Sequence, residues 1–452
     1  MRNIVRIISS IRITTTSFNL RTGIITGRRN YSYILPSNFT STMSVANATY
    51  NAGNAAAVRT EFADGNISSK FGPEVINYFS GSPLNRVSFL RGSTAFLSAA
   101  LPQAHFLLLN GDLDPLSTSN THLAFVPFSV VESFIGAPYA QDEDDLIASY
   151  DSRLAAPPTL LFLGLDESDG DAGFEWAKRE GGSVYKGRPY FAVAVGDWTP
   201  EGVEGEWRKT RLDLKLEREH AAILGQARAV MDWNNRNRFC SACGGATIAV
   251  HAGTKRVCPG FDKALQKDGD KTPVERTPCV SRKGVHNIAF PRTDPTVIMA
   301  IVNMAGDKVL LGRQRRWPEH FYSCLAGFVE PAESVEEAVR RETWEEAGVR
   351  VGRVVVHSSQ PWPYPNSLML GCIGEALPGG EEIHLEHDPE LQQAKWFPIS
   401  FVKDMLTRPA AGLDAALPEG FQEGDIRLPP GTAIATQLLQ AVASNYHGGL
   451  KI

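Results

Sequence analysis

Short blocks of apolar residues alternate with Pro, Gly and acidic turns along the first half of this chain. Four blocks are typical of buried strands: HFLLLN from residue 105, LAFVPFSVV from 123, TLLFLGL from 159 and YFAVAV from 190. A helix is predicted after them from Leu212 to Asp232, because four apolar residues recur there at helical spacing: Ile223, Leu224, Ala227 and Met231. The pattern predicts an α+β domain over 71–232. We find no catalytic constellation in it and expect it to support structure, dimerisation or the shape of a substrate pocket.

The apolar pattern of the second half predicts a mixed sheet with helices on both faces. The block PTVIMAIVNM from 295 is typical of a buried strand, and KVLLGRQRRW from 308 and FYSCLAGF from 321 follow it. Further strands are expected over 351–358, over 368–376 and near 395, with a closing helix from about Thr432 to Asn445. These elements form a second α+β domain over 291–445.

One stretch of this second domain, GFVEPAESVEEAVRRETWEEAGV from Gly327, contains a helix with clear ends. Ser334 followed three residues later by Glu337 is a capping box, so the helix is predicted to begin near Val335. Gly348 is expected to end it.

Three carboxylates of this helix, on Glu342, Glu345 and Glu346, fall within an arc of about 100°. Glu342 and Glu346 continue the apolar stripe of the first turns, where unpaired charges would repel each other and lose hydration. A bound divalent cation would offset that cost, and hard oxygen ligands suit Mg²⁺ or Mn²⁺. Arg341 can hold a neighbouring carboxylate, and Glu333 acts from the preceding loop. The alternative is an ordinary acidic, solvated helix.

The same stretch resembles the Nudix box in the pattern G-x5-E-x7-R-E-x2-E-E-x-G. The matching residues are Gly327, Glu333, Arg341, Glu342, Glu345, Glu346 and Gly348. This resemblance implies a Nudix fold and metal-dependent hydrolysis of a diphosphate that is linked to another group. Thr343 occupies a position that is usually aliphatic in the box, and we expect its hydroxyl to have little effect.

Upstream of this domain, a C-x2-C pair followed by two glycines indicates a zinc knuckle over 233–290. The expected ligands of the structural Zn²⁺ are Cys240, Cys243, Cys258 and Cys279. The last two are separated by 20 residues instead of the usual few. An insertion can loop out without moving the ligands. His251 or His286 could replace one cysteine, and unliganded thiols remain an alternative. Cys324 and Cys372 are expected to be core residues.

A second motif, SQPWPYPNS over residues 359–367, follows the helix. Its alternate prolines favour an extended backbone, so Trp362 and Tyr364 lose little entropy when a ligand stacks on them. Gln360, Asn366 and Ser367 add hydrogen-bonding groups suited to a ribose, an amide or a phosphate. The alternative is a proline-rich loop packed on the core.

This motif, the zinc knuckle and the box together resemble the NADH pyrophosphatase family, which carries S-Q-P-W-P-[FY]-P-x-S just after the Nudix box. The resemblance covers about residues 71–445. It implies hydrolysis of NADH or NAD⁺ to AMP and NMNH or NMN, removal of NAD caps from RNA in some members, and homodimers whose sites draw on both subunits. The remaining alternatives are a Nudix hydrolase for ADP-ribose or mainly for NAD-capped RNA and, from another class, a zinc-ribbon module that binds nucleic acid.

The family also implies roles for particular residues. Metal ligands map onto Glu342, Glu345, Glu346 and Glu390. These four and Arg341 form the expected catalytic set, with Glu345 and Glu390 as candidates for the base. The expected substrate-binding set is Phe290, Ala326, Phe328, Gln360, Trp362, Tyr364, Asn366, Ser367 and Ala435.

The composition is that of an ordinary globular protein, with 43% hydrophobic residues in 452 and six cysteines. A net charge of −5 gives no reason to expect strong non-specific nucleic-acid binding. No apolar run approaches the length of a membrane span, so no membrane association is expected.

The first sixty residues contain no Asp or Glu but several arginines, which is typical of a mitochondrial transit peptide. We assign 1–43 to this peptide, 44–70 to a linker and 446–452 to a tail. A disordered basic tail is the alternative for the first segment. A start at Met43 would yield a cytosolic or peroxisomal form, although the final Leu450-Lys451-Ile452 is only loosely similar to a peroxisomal signal.

Overall fold

The computed structural model describes residues 75–168, 173–177, 183–209, 215–266, 274–283, 290–408, 417 and 420–444. All of them belong to one compact unit. The expected transit peptide, linker and C-terminal tail lie outside the described residues, as does His286. No helix in the described ranges combines the length and apolar character that are needed to cross a bilayer.

The strands of the N-terminal domain are β1 (Leu84–Asn85), β2 (His105–Asn110), β3 (Leu116–Ser117), β4 (Phe125–Pro127), β5 (Leu160–Asp166), β6 (Glu175–Ala177), β7 (Val184–Lys186), β8 (Arg188–Gly196) and β9 (Glu206–Trp207). Five of them form its main sheet, in the order β1-β5-β8-β2-β4. Within this sheet β2 and β8 run parallel, and the other neighbours are antiparallel. The helices of the domain are α1 (Thr94–Ala100), α2 (Phe128–Ile135), α3 (Glu143–Ala148) and α4 (Arg218–Arg236).

The side chains of these strands alternate between two cores, one on each face of the sheet. Phe106 and Leu108 of β2 face a core that includes α1 and α2, whereas Leu107 and Leu109 face a core closed by α4. The predicted strands from 105, 159 and 190 are therefore confirmed as β2, β5 and β8.

Two predictions for this domain were wrong in their extent. The block from 123 is a strand only over Phe125–Pro127 and continues as helix α2, because Val131 and Ile135 are spaced four residues apart and both reach the core. Helix α4 begins at Arg218 and not at Leu212, and it extends to Arg236. A run of apolar residues does not by itself distinguish a buried strand from a short buried helix.

A short antiparallel hairpin follows α4. Its strands are β10 (Ile248–Val250) and β11 (Lys255–Val257). The hairpin lies between the C-x2-C pair and Cys258, so it returns the chain towards the first two cysteines.

The C-terminal domain is built on a six-stranded mixed sheet. The strands are β12 (Asp294–Val302), β13 (Lys308–Gln314), β14 (Leu325–Phe328), β15 (Val351–Trp362), β16 (Ser367–Ala376) and β17 (Leu391–Pro398). Their order is β15-β16-β12-β13-β17, with β14 paired to β12, and strands β12 and β16 are parallel. The helices are α5 (Val335–Ala347), α6 (Ile399–Thr407) and α7 (Ile434–Ala443).

The sheet of this domain has helices on both faces, as predicted. Met299 of β12 packs in the core that contains α5, and its neighbour Ala300 packs in the opposite core with α6 and α7. Cys324 and Cys372 are buried core residues, as expected. Two strands differ from the predictions in their extent: β15 continues as far as Trp362, and β14 covers only the end of its predicted block. Helix α6 was not predicted.

Candidate active site

Helix α5 has the ends that its sequence predicts. Ser334 Oγ accepts a hydrogen bond from the backbone N–H of Glu337 at 3.2 Å, and Ser334 N donates to Glu337 Oε2 at 2.8 Å. At the other end Gly348 adopts φ 72°, in the left-handed region. A Cβ atom there would lie 2.9 Å from the backbone nitrogen of His384. Glycine is therefore required both by the backbone conformation and by the neighbouring loop.

Arg341 is the centre of the ionic network on this helix. Its Nε and Nη2 atoms donate to the two carboxylate oxygens of Glu333 at 2.8 and 2.9 Å. Its Nη1 donates to Glu342 at 2.8 Å and to Glu345 at 2.9 Å, and Nη2 also donates to the carbonyl oxygen of Phe328 at 2.7 Å. These bonds, that to Glu333 foremost, hold the pKa of Arg341 above its usual value. Arg341 thus joins the preceding strand, the loop and two carboxylates of the helix.

The first glycine of the box is explained by the carboxylate of Glu342. A Cβ atom at Gly327 would overlap the Cδ and both oxygens of this side chain. Gly327 therefore allows Glu342 to pack directly against β14, where it contributes a negative charge at the strand end.

Glu346 is the most deeply buried carboxylate of the set, at 5% exposed. Burial, followed by repulsion from Glu342, Glu390, Asp388 and Glu345, raises its pKa to about 8. Burial also raises the pKa of Glu342, against the opposing effect of Arg341. Such crowding is costly without a counterion.

The loop that carries Glu390 is docked onto the C-terminal half of α5. The ring of His387 stacks on that of Trp344, with centroids 4.3 Å apart. The N–H of Asp388 donates to the carbonyl oxygen of Glu345 at 3.1 Å. Glu390 itself is exposed, and its charge contributes to the raised pKa values of Glu342 and Glu346. The charge of Glu390 therefore acts on two of the expected metal ligands, and its own role as a ligand stays a prediction.

This donor set fits a hard divalent cation. Three of the expected carboxylates lie on α5, and one of them, on Glu346, is held in a buried site where a proton or a metal ion must compensate its charge. Thr343 does not disturb the arrangement, because its hydroxyl donates to the carbonyl oxygen of Val339 at 2.7 Å.

Metal binding should therefore depend on pH in a defined direction. The folded-state pKa of Glu346 lies above its unfolded value of 4.5. The Glu346 carboxyl group therefore contributes its full share to the free energy of unfolding below about pH 4.5. This contribution is lost as the pH rises through about 8. We predict that the melting temperature gained on adding Mg²⁺ or Mn²⁺ increases across this window, because the metal favours the ionised carboxylate. Differential scanning fluorimetry at several pH values measures it.

Glu346→Gln should remove most of that pH dependence, whereas Glu336→Gln, an exposed change on the same helix, should preserve it. An equal metal-induced shift at pH 6 and pH 8 in the unsubstituted protein would contradict the assignment of Glu346.

The four expected zinc ligands converge. The Sγ atoms of Cys240, Cys243, Cys258 and Cys279 all lie within 4.8 Å of one another, and no other group of possible metal ligands in the described ranges is as compact. The Cys240–Cys279 and Cys243–Cys258 separations are 3.6 and 3.5 Å. These are too long for disulfides and close to the edge of about 3.8 Å that four Zn–S bonds of about 2.3 Å imply for a tetrahedron. The set fits a structural Zn²⁺.

His251 lies away from these thiols. Its imidazole Nε2 is 3.5 Å from a carboxylate oxygen of Glu143 in α3. Cys279 lies with the other three thiols although 20 residues separate it from Cys258.

The residues expected to bind a nucleobase of the substrate occupy different environments. Phe328 and Phe290 are 61% and 41% exposed, and the ammonium group of Lys255 lies 5.8 Å from the Phe290 ring centroid. Ala326 packs at the margin of the core around α7, whereas Ala435 is buried within that core. The two phenylalanines offer ring surface to a ligand, and all four assignments stay predictions.

The proline segment forms the end of β15 and the turn into β16, with a cis bond between Tyr364 and Pro365. Trp362 and Tyr364 are half-buried against the core of the N-terminal domain. Asn366 donates from its side chain to the carbonyl oxygen of Arg292, and Ser367 is buried in β16 opposite Asp294.

Gln360 is 2% exposed, and its amide is engaged within the protein. Its Nε2 donates to the carbonyl oxygens of Tyr78 at 3.1 Å and Thr432 at 2.8 Å, while its Oε1 accepts from Ile434 N at 2.9 Å. Substrate contact by the residues of this segment stays a prediction. The half-buried rings are consistent with both interpretations, because one part of each ring packs on the protein and the other part is open to a ligand.

Sequence reasoning missed three features of the site. It did not connect Arg341 to Glu333 and to the Phe328 carbonyl, and it did not find the Trp344–His387 stack. It also did not find the contacts of residues 77–79 with the proline segment. The stack alone had a local signal, since an aromatic residue stands within the box.

The mixed sheet, its two helical layers and the carboxylate helix define a Nudix hydrolase. Residues 292–416 match the family model of the NUDIX domain. Residues 235–260 match the NADH pyrophosphatase zinc ribbon domain, and 85–233 match the NADH pyrophosphatase-like rudimentary NUDIX domain. The N-terminal domain, for which sequence reasoning gave only an α+β class, is thus a degenerate relative of the catalytic one.

Similar proteins identify the family of this chain more closely. It is 35% identical over 386 residues to the human NAD-capped RNA hydrolase NUDT12, covering 81% of this chain and 73% of that protein. It is also 35% identical over 377 residues to an NAD-capped RNA hydrolase of Schizosaccharomyces pombe, covering 81% and 92%. To the mitochondrial NAD(P)H pyrophosphatase NUDT13 of Mus musculus it is 35% identical over 238 residues, covering 52% and 59%. The chain belongs to the NADH pyrophosphatase family of Nudix hydrolases.

Proposed function

We propose that this enzyme hydrolyses the pyrophosphate of NADH and NAD⁺ to AMP and NMNH or NMN, and that it also removes NAD caps from RNA. The names of the relatives support both substrates. The nucleic-acid-binding module without catalysis is not favoured, because every acidic residue of the box is present and Arg341 bonds to three of them.

The register of the central sheet carries this proposal. Thr296 of β12 is paired with Phe328 at the end of β14 on one side and with Met369, just after the proline segment, on the other. Neighbouring strands lie about 4.8 Å apart, so the box and the proline segment meet at one end of the sheet within about 10 Å. A ligand with a diphosphate flanked by two nucleosides can span both.

Within the active site, Glu342, Glu345, Glu346 and Glu390 would hold Mg²⁺ or Mn²⁺. The bound cation supplies charge neutralisation at the diphosphate. Arg341 keeps Glu342 and Glu345 in place, so it is a positioning group for the metal ligands. Either Glu345 or Glu390 accepts the proton of the attacking water, since both are partly or fully exposed. The bond between the attacked phosphorus and the bridging oxygen breaks, and the bridging oxygen leaves as part of the phosphate of the other nucleotide.

The test is a panel of NADH, NAD⁺, NAD-capped RNA and ADP-ribose, each incubated with Mg²⁺ or Mn²⁺ and separated by chromatography. We expect AMP with NMNH or NMN from the free dinucleotides, and 5′-monophosphate RNA with NMN from the capped RNA. Faster cleavage of ADP-ribose than of all three would favour the runner-up, a hydrolase for other nucleoside diphosphate derivatives.

We also propose a homodimer and mitochondrial targeting. The first rests on the family resemblance and the second on the arginine-rich, acid-free composition of the first sixty residues. The name of the mouse relative also includes the word mitochondrial.

A further inference from the structure

Three consecutive residues of the N-terminal domain, Asn77, Tyr78 and Phe79, contact the proline segment of the catalytic domain. Asn77 is 3% exposed and donates from Nδ2 to Ser358 Oγ at 3.0 Å and to the carbonyl oxygen of Ser359 at 2.9 Å. The carbonyl oxygen of Tyr78 accepts from Gln360 at 3.1 Å. These bonds attach one domain to the backbone and side chains of another just before Trp362.

Phe79 continues this contact through its ring. Its centroid lies 6.1 Å from those of both Trp362 and Tyr364, at edge-to-face angles of 82° and 71°. The Phe79 ring also packs against Gly225 of α4, where a Cβ atom would lie 3.3 Å from the ring. Phe79 therefore fills the space between the helix and the two aromatic rings of the motif.

The backbone of Phe79 is held in an unfavourable conformation. Its φ of 66° lies in the left-handed region, which a bulky side chain rarely adopts. Such strain persists only where surrounding contacts fix the residue, and it is concentrated at sites where a side chain must be placed accurately. Here the bonds of Asn77 and of the Tyr78 carbonyl supply that constraint.

Arg228 of α4 holds the far end of the segment. Its guanidinium lies 4.9 Å from the ring centroid of Tyr364, while its Nη1 donates to the carbonyl oxygens of Leu113 at 2.5 Å and Asp112 at 3.2 Å. The N-terminal domain thus contacts these aromatic rings through both Phe79 and Arg228.

We propose that Asn77 and Phe79 are specificity-determining positioning residues, which hold Trp362 and Tyr364 in the orientation that receives the second nucleoside of a dinucleotide. The rudimentary domain thereby takes part in substrate choice although it contributes no catalytic group. This inference rests on the proposed function, because it requires the proline segment to contact the substrate.

The test compares steady-state kinetics on NADH with those on ADP-ribose, which has the same AMP half and diphosphate but lacks the nicotinamide. Asn77→Ala removes one hydrogen bond to the segment, at Ser359, and one to Ser358 just before it, and should raise KM for NADH about tenfold. We expect kcat for NADH and kcat/KM for ADP-ribose to change by less than about twofold, since the carboxylate helix is untouched. Val131→Ala, in the core on the opposite face of the N-terminal sheet, is the matched control and should leave both KM values unchanged.

A double substitution separates positioning from general destabilisation. If Asn77 acts through Trp362, then Asn77→Ala should add little to the KM increase already caused by Trp362→Ala. Should Asn77→Ala fail to fold, Phe79→Leu, which keeps an apolar side chain but loses the ring contacts, is measured by the same criteria.

An unchanged KM for NADH in a folded Asn77 or Phe79 variant would overturn the inference, as would an equal loss on both substrates. These results differ from a failure of the proposed function. That failure would appear as no hydrolysis of NADH by the unsubstituted enzyme, or as an unchanged KM for NADH in Trp362→Ala.

Discussion

Glu345→Gln should lower kcat for NADH by about a thousandfold or more, because it removes an expected metal ligand and a candidate base in one change. The melting temperature should change little. The Glu345 carboxylate is partly exposed, and its ion pair with Arg341 belongs to the class of surface contacts worth about 1 kcal/mol or less. The glutamine oxygen can still accept from Arg341, so the helix network is preserved.

The matched control is Glu336→Gln, at a residue in the first turn of the same helix that is exposed to solvent. Both substitutions remove one negative charge from α5, and only the first should abolish turnover. Activity of Glu345→Gln within about tenfold of the unsubstituted enzyme would remove this residue from the catalytic set.

Cys279→Ala should cause the largest loss of stability among the changes considered. It removes one of four thiolates that fit a tetrahedral site, and the other three enclose a metal less completely. We expect zinc to dissociate at much lower chelator concentration and the free energy of unfolding to fall by more than about 2 kcal/mol. Zinc content by atomic emission and melting temperature measure the two effects.

Ser281→Ala is the matched control for the zinc site. The Ser281 hydroxyl lies 3.0 Å from Cys279 Sγ and 3.4 Å from Cys240 Sγ, but it is not a ligand of the expected type. This variant should keep its zinc. Full zinc content in Cys279→Ala would instead show that another residue completes the site, contrary to the assignment.

The parts of this structure that sequence predicted well are those governed by local chemistry. The first residue of α5 and its end at Gly348 follow from a capping box and a glycine, both of which act within a few residues. The cysteine set was predictable because thiolates have one usual use in that spacing, even with an expanded gap. The alternation of Met299 and Ala300 between two cores likewise follows from strand geometry.

The parts that sequence did not predict depend on contacts between distant segments. Nothing near Gln360 indicates that its amide bonds to residues 78 and 432, which are 282 and 72 positions away. The block from residue 123 was wrongly predicted to be a strand throughout. Its second half is helical because one face of that helix packs against the core, and this contact forms only in the folded domain. A strained φ at Phe79 likewise has no signature in the sequence.

Hydrolysis at the pyrophosphate of a dinucleotide is tested most directly by mass spectrometry of the products that form from NADH in water labelled with heavy oxygen. We expect AMP and NMNH, with one labelled oxygen in the phosphate of one of them and no intact ADP-ribose. Release of reduced nicotinamide with ADP-ribose, or products without label in either phosphate, would contradict attack of water at the pyrophosphate.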